Sequence, residues 1–128
     1  MTRVEKLPGF PIVIVTEKGH VNPKYVQRNM MRVADLAQGI EGQFFLIVDT
    51  RKSDAAFADT LAIAKAWREY WADIHTPSTI LVGKSHYTRL LRDLLSQRQR
   101  QSTPVFDNLE DALESARLQL SSRQVTTG

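Results

Sequence analysis

Three apolar runs, "FPIVIV", "FFLIV" and "TILV", stand about thirty residues apart, and each is followed by a stretch long enough for a helix. The runs are too short for buried helices and rich in β-branched and aromatic residues, so they read as strands at 11–16, 43–49 and 78–83. None has the polar alternation of a strand with one wet face; such runs belong in a sheet covered on both sides. "PVF" adds a short strand at 104–106, and "RVEKL", ahead of the first run, is a candidate edge strand. Strands separated by helices imply parallel crossovers. The expectation is an α/β fold with a four- or five-stranded sheet, mainly parallel or mixed, and about four helices.

The intervening segments carry helix signals. "VNPKYVQRNMMRVADLAQG" opens with Asn22 as N-cap and Pro23 at the first helical position, stops at Gly39, and places Val26, Met30, Val33 and Ala37 on one stripe. The helix over 54–72 is expected to take Ser53 or Asp54 as its cap and to pack Phe57, Leu61, Ala64, Trp67 and Trp71 inward, with Ile63 and Tyr70 widening that face. "SHYTRLLRDLLSQRQ" is a third helix. The fourth, in "DNLEDALESARLQL", is capped by Asp107 or Asn108, and a frayed tail is expected over 121–128.

At 128 residues the chain is the size of one domain, with its core over about 10–120. The absence of cysteine removes disulfides, thiolate catalysis and cysteine-ligated zinc, and points to no oxidising compartment. The first fifteen residues hold neither a secretory h-region nor a cleavage site, and no span has the length to cross a bilayer. A cytoplasmic protein is expected. Net charge is +3, with Lys84, Arg89, Arg92, Arg98 and Arg100 against Asp93 over 84–100. "RQRQS" lacks interleaved aromatics for base stacking, which argues against nucleic acid as a partner and for a solvated face.

The chemistry-bearing residues do not complete a catalytic set. "VGKS" resembles the end of a phosphate loop, but the first glycine that such a loop needs falls at Ser78, inside a strand. Asp49 and Lys84 at two strand ends match part of a response-regulator receiver, yet only Glu17 follows the first strand where a carboxylate pair would hold magnesium. His20, His75 and His86 have no metal-ligand spacing, and no glycine-flanked nucleophile elbow exists. Neither a metal nor a cofactor is expected. Trp67, Tyr70 and Trp71 are read as core aromatics whose buried indole finds a partner, or as one wall of an apolar pocket.

The order of the helix after "GHVNPKY", the strand "FFLIVDTR", the aromatic helix "FADTLAIAKAWREYW", the strand "TILVGKS" and the closing "PVFDNLEDALESA" resembles the STAS domain and its SpoIIAA-like relatives. The resemblance implies a small mixed or mainly parallel sheet with helices around it, and a bacterial regulatory or binding role without established catalysis. In STAS antagonists of anti-sigma factors a serine directly after the strand-ending Asp is phosphorylated. Here that Asp is Asp49 and the matching acceptor is Thr50, followed by Arg51, Lys52 and Ser53 in place of small residues and glycine. The lipid-carrier type of relative holds apolar ligands between helices and sheet.

Three functions are therefore set side by side. The first is a non-enzymatic module that binds a protein partner or itself through loops where the strands end, with Asp49, Thr50, Ser53, Lys84, Ser85 and His86 as contacts and with Thr16 to His20 beside them. Thr50 or Ser53 as phospho-acceptor is a variant of it. The second is a carrier of a small apolar molecule or lipid, using Met30, Phe57, Trp67 and Trp71. The third, an enzyme, lacks an acid, base and nucleophile. Asp49 is expected at the carboxyl end of its strand as a turn or cap acceptor.

Overall fold

A computed structural model describes residues 2–72, 76–97 and 103–126. The elements run β1 (Arg3–Lys6), β2 (Ile12–His20), α1 (Pro23–Ala37), β3 (Phe45–Asp54), α2 (Phe57–Trp71), β4 (Ser78–Val82), α3 (His86–Ser96), β5 (Val105–Phe106) and α4 (Leu109–Thr126). The five strands form one sheet in the order β1-β2-β3-β4-β5. β2 to β5 are parallel, and β1 pairs antiparallel with β2 as the edge strand. The α/β sheet read from the sequence is the observed one, with "FFLIV" at its centre.

Strand order equals chain order, so each crossover steps to the next position in the same direction. Right-handed crossovers then put α1, α2 and α3 on one face. Val13, Val15, Leu46, Val48 and Leu81 point to that side and pack with Val26, Met30, Ile63, Trp67, Trp71 and Leu91. Alternate residues Ile12, Ile14, Phe45, Ile47, Ile80 and Val82 point the other way, onto Ala112 and Ala116 of α4.

The helix starts follow their caps. Asn22 Oδ1 accepts the Tyr25 N–H at 2.9 Å with Pro23 at the first position, Ser85 Oγ accepts from the Thr88 N–H at 3.2 Å, and Asn108 Oδ1 accepts from the Asp111 N–H at 2.9 Å. α2 departs from the expectation: its cap position is Ala56, with no side-chain bond. Ser53 and Asp54 are not caps because β3 is still a strand there. β2 likewise continues to His20 instead of turning after residue 16. The two extensions pair with each other, Lys18 with Lys52, Gly19 with Ser53 and His20 with Asp54, so the backbone groups on their facing edges are satisfied despite a polar sequence.

The inward face of α2 is also corrected. Thr60, Ile63, Ala64, Trp67 and Trp71 are buried, whereas Phe57 is 68% and Leu61 43% exposed. The buried stripe is centred on the 60-63-64-67-71 spacing, and a 3.6-residue period leaves Phe57 and Leu61 at or beyond its margin. α4 runs to Thr126, through the stretch from 121 where fraying is expected. His75, Arg98 and Arg100 lie outside the described residues.

These placements separate two substitutions that look alike in sequence. Ile63→Ala should lower the unfolding free energy by roughly 3 kcal/mol through loss of buried volume. Phe57→Ala should change it by less than about 0.5 kcal/mol, since the ring is already in water. Urea denaturation followed by circular dichroism checks both.

Candidate functional site

β4 ends at Val82, level with Asp49, while β2 and β3 run on together. The sheet therefore narrows at its carboxyl edge to a two-stranded arm, with α3 beginning alongside it. A register shift between Thr16 and Lys18 places one extra residue on β3. Such a bulge re-aims side chains, and here both Glu17 and Ser53 turn toward α3.

Three hydroxyls brace the arm. Thr50 Oγ1 donates to the Val82 carbonyl at 2.8 Å and lies 2.5 Å from Thr88 Oγ1, which is 3.0 Å from Ser85 Oγ. Each hydroxyl carries one proton. Since Thr50 spends its own on Val82, Thr88 donates to Thr50 and Ser85 donates to Thr88, a one-way chain from the start of α3 to the end of β4. Thr50 and Thr88 are 1% and 0% exposed. Gly83 leaves room for them: its φ is +149°, and a Cβ there would meet Thr50 Oγ1 at 2.4 Å and Thr88 Oγ1 at 2.6 Å.

Glu17 lies within the Thr16 to His20 stretch that the sequence reading set beside the site, but that reading gave it no role of its own. It is 2% exposed, and its Oε1 accepts from Tyr87 OH at 3.0 Å and from Ser53 Oγ at 3.1 Å. Burial pushes its pKa up to about 7; the bonds from Tyr87 and Ser53 pull against that, and the charge of Asp49 adds to it. Burial and the neighbouring Glu17 also raise the Tyr87 phenol. The signal was present, because period-two spacing in "VIVTE" puts Glu17 on the same face as Val13 and Val15.

The six expected contact residues divide by exposure. Asp49 lies inside β3 and not at its end; it accepts the Arg51 N–H at 3.1 Å and pairs in a two-pronged bridge with that guanidinium, at 2.9 and 2.7 Å. Thr50 and Ser53 are buried by the hydroxyl chain and Glu17. Lys84, Ser85 and His86 stand in solvent at the start of α3, with Lys84 3.6 Å from Asp107. The exposed residues of the arm are Lys18, Gly19, His20, Arg51, Lys52 and Asp54, with His20 Nδ1 at 2.6 Å from Asp54. Among the described residues no group of three or more His, Asp or Glu side chains is placed to hold a metal ion.

The four apolar candidates do not share one pocket. Met30, Trp67 and Trp71 are buried in the core beneath α1 and α2, and Phe57 is in solvent. Trp71 alone of the four borders an apolar cavity of about 380 Å³ near the other end of the sheet, with Ala37, Ile40 and Phe44. Its ring packs edge-on against Phe44 and Tyr70, at 6.1 and 5.0 Å between centroids. The expected hydrogen-bond partner for the buried indole is absent: Trp71 Nε1 has none among the described residues.

No family model and no curated protein matches the chain. Solved structures do. An uncharacterised Shewanella loihica protein with a SpoIIAA-like fold superposes at a TM-score of 0.61 and 10% identity, over 91% of this chain and 92% of that one. The anti-sigma factor antagonist SpoIIAA in its unphosphorylated form gives 0.63 and 14%, over 91% and 98%. An anti-sigma factor antagonist from Mycobacterium paratuberculosis gives 0.59 and 20%, over 91% and 93%. The chain carries a SpoIIAA-like α/β fold.

Two outcomes test the geometry of the edge. Gly83→Ala should cost roughly 2–3 kcal/mol in denaturant unfolding, from the clash with Thr50 and Thr88 together with the strained φ. For Glu17, a folded pKa of about 7 against an ordinary 4.5 means that the folded state binds the proton more tightly between those values. Stability from this group is full below about pH 4.5, falls as pH rises through the window, and levels above about pH 7, a loss of about 3 kcal/mol. Glu17→Gln should lose less stability than the parent by about that amount between pH 4.5 and 8, measured as the difference between their urea curves.

Proposed function

We propose that the chain is a non-enzymatic STAS-like regulatory module that associates with a protein partner, or with itself, through the carboxyl edge of its sheet. The observation that carries this reading is the braced arm. Lys52, Lys84, Ser85 and His86 are exposed on a framework held by the buried Thr88–Thr50, Ser53–Glu17 and Tyr87–Glu17 bonds, to which the part-buried Ser85–Thr88 bond is joined. A partner loop meeting such a surface has little ordering left to impose on it. The fold it shares with two anti-sigma factor antagonists supports a protein partner. The edge offers hydroxyls, cations and two imidazoles, and although Asp54 orients His20, no hydroxyl among the described residues is bonded to that imidazole as a nucleophile would be, which supports binding over catalysis.

Phosphorylation of Thr50 or Ser53 draws no support from their surroundings, since both hydroxyls are buried and already bonded. The carrier reading rests on one specific observation, the apolar cavity beside Trp71. Native mass spectrometry of protein purified from its host separates the two: a defined protein complex favours the module, and a retained lipid-sized mass favours the carrier.

The residue-level test is the pair Lys84→Ala and His86→Ala. Both side chains are exposed, so the thermal midpoint should stay within about 3 °C of the parent. Quantitative affinity purification should show loss of whatever protein the parent retains in fixed stoichiometry. Undiminished retention by the double variant places the contact surface elsewhere.

A further inference from the structure

α1 presents Lys24, Arg28 and Arg32 one turn apart on its exposed side. Among the described residues none of the three has an ion pair. Like charges at i and i+4 repel along a helix, so the row is unfavourable unless an anion sits against it. Arg28 and Arg32 also line a cavity of about 560 Å³ formed where α1 passes the residue ahead of β1. The same lining holds Thr2, whose hydroxyl donates to that of Tyr25; Tyr25, whose own hydroxyl donates to the Lys18 carbonyl; and Asn29; its carboxylate is Asp35.

Asn29 is the second observation. It is 4% exposed, and its Nδ2, on the side of the Tyr25 hydroxyl, has no hydrogen-bond partner among the described residues. Buried amide protons are rarely left unmade in native proteins, and an exception calls for a missing acceptor. The terminal torsion of an Asn side chain is soft, so the amide can turn to an oxygen brought between the arginines. Guanidinium forks match the planar, multi-oxygen face of a carboxylate or phosphoryl group. Asp35 repels such a group at its own end and so favours a position toward Arg28 and Asn29.

We propose that this cavity binds a small oxyanion, held by Arg28 and Arg32 with Asn29 Nδ2 as a buried third donor. The site is formed by α1 and the residue before β1, apart from the exposed Lys84 to His86 surface, and it does not rest on the partner reading above.

The test is a titration of the full chain, followed by two-dimensional nitrogen–proton NMR, with pyrophosphate and separately with malonate, at ionic strength held constant with sodium chloride. The expected result is a saturating shift of the Asn29 side-chain amide and of the Arg28 and Arg32 Nε–H signals. Saturation with pyrophosphate alone assigns a phosphoryl ligand, with malonate alone a carboxylate, and with both a general oxyanion site; each supports the proposal. Arg28→Gln with Arg32→Gln should weaken binding roughly tenfold or more, and Lys65→Gln with Arg117→Gln should leave it unchanged. Arg32→Lys keeps the charge and removes the fork, so weakened binding there reads the site even if the double variant folds poorly. Shifts that spread over all exposed cations without saturating, an unmoved Asn29 amide, or equal affinity in the arginine variants would overturn it.

Discussion

Phe45, Leu46, Ile47 and Val48 are each at most 1% exposed, because β3 is hydrogen-bonded along both edges and covered on both faces. A strand in that position cannot slip by one residue without exchanging its two side-chain sets between cores of different shape. On one side wait the three crossover helices, with Trp67 and Trp71 on α2; on the other, α4 lays down Ala112 and Ala116 flanked by the partly buried Leu109, Leu113 and Leu120. The register so fixed decides where Asp49 and Val82 come level, and hence where β4 stops and the arm of β2 and β3 begins.

Beyond that level the ladder to β4 is gone, and side chains take over the work of backbone pairing. Thr50 bonds the last carbonyl of β4, and Tyr87 and Ser53 bond Glu17. A buried carboxyl is a poor source of net stability, since taking it from water costs more than two neutral donors return. What it gives is position: one oxygen ties β2, β3 and α3 together, and moving any of the three leaves a polar group unmatched. Asp49 turns to the opposite face with Arg51, so Glu17 and Asp49 do different jobs.

Local patterning carried the order of elements, the cap at Asn22, the alternative of Asp107 or Asn108 from which the structure takes Asn108, and the parallel centre, since apolar runs and helix stops are written within a few residues of themselves. The arm was not legible in that way. Residues 50–54 look like a turn by composition, and they become strand only because β2 supplies a matching extension and α3 supplies cover. That is tertiary context overriding a weak β signal. The burial of Thr50 depends on Gly83 and Thr88, more than thirty positions away, so it changed a plausible contact residue into a brace. Lys84, Ser85 and His86 emerged where expected because Gly83 ends a strand and Ser85 opens a helix, both local signals. Phe57 misled because a large apolar residue in a helix is read as inward by default, while its angular place decides.

The two outer strands have a consequence for how this chain fails. β1 offers only four residues, three of them charged, and β5 only two, so neither margin presents the long, flat, uncharged template on which foreign strands add. The segment with the strongest tendency toward cross-β stacking, "FFLIV", is locked at the centre of the sheet. Aggregation of this chain is thereby coupled to global opening of the core and not to breathing at its margins, so its solubility under stress follows the whole fold's unfolding equilibrium.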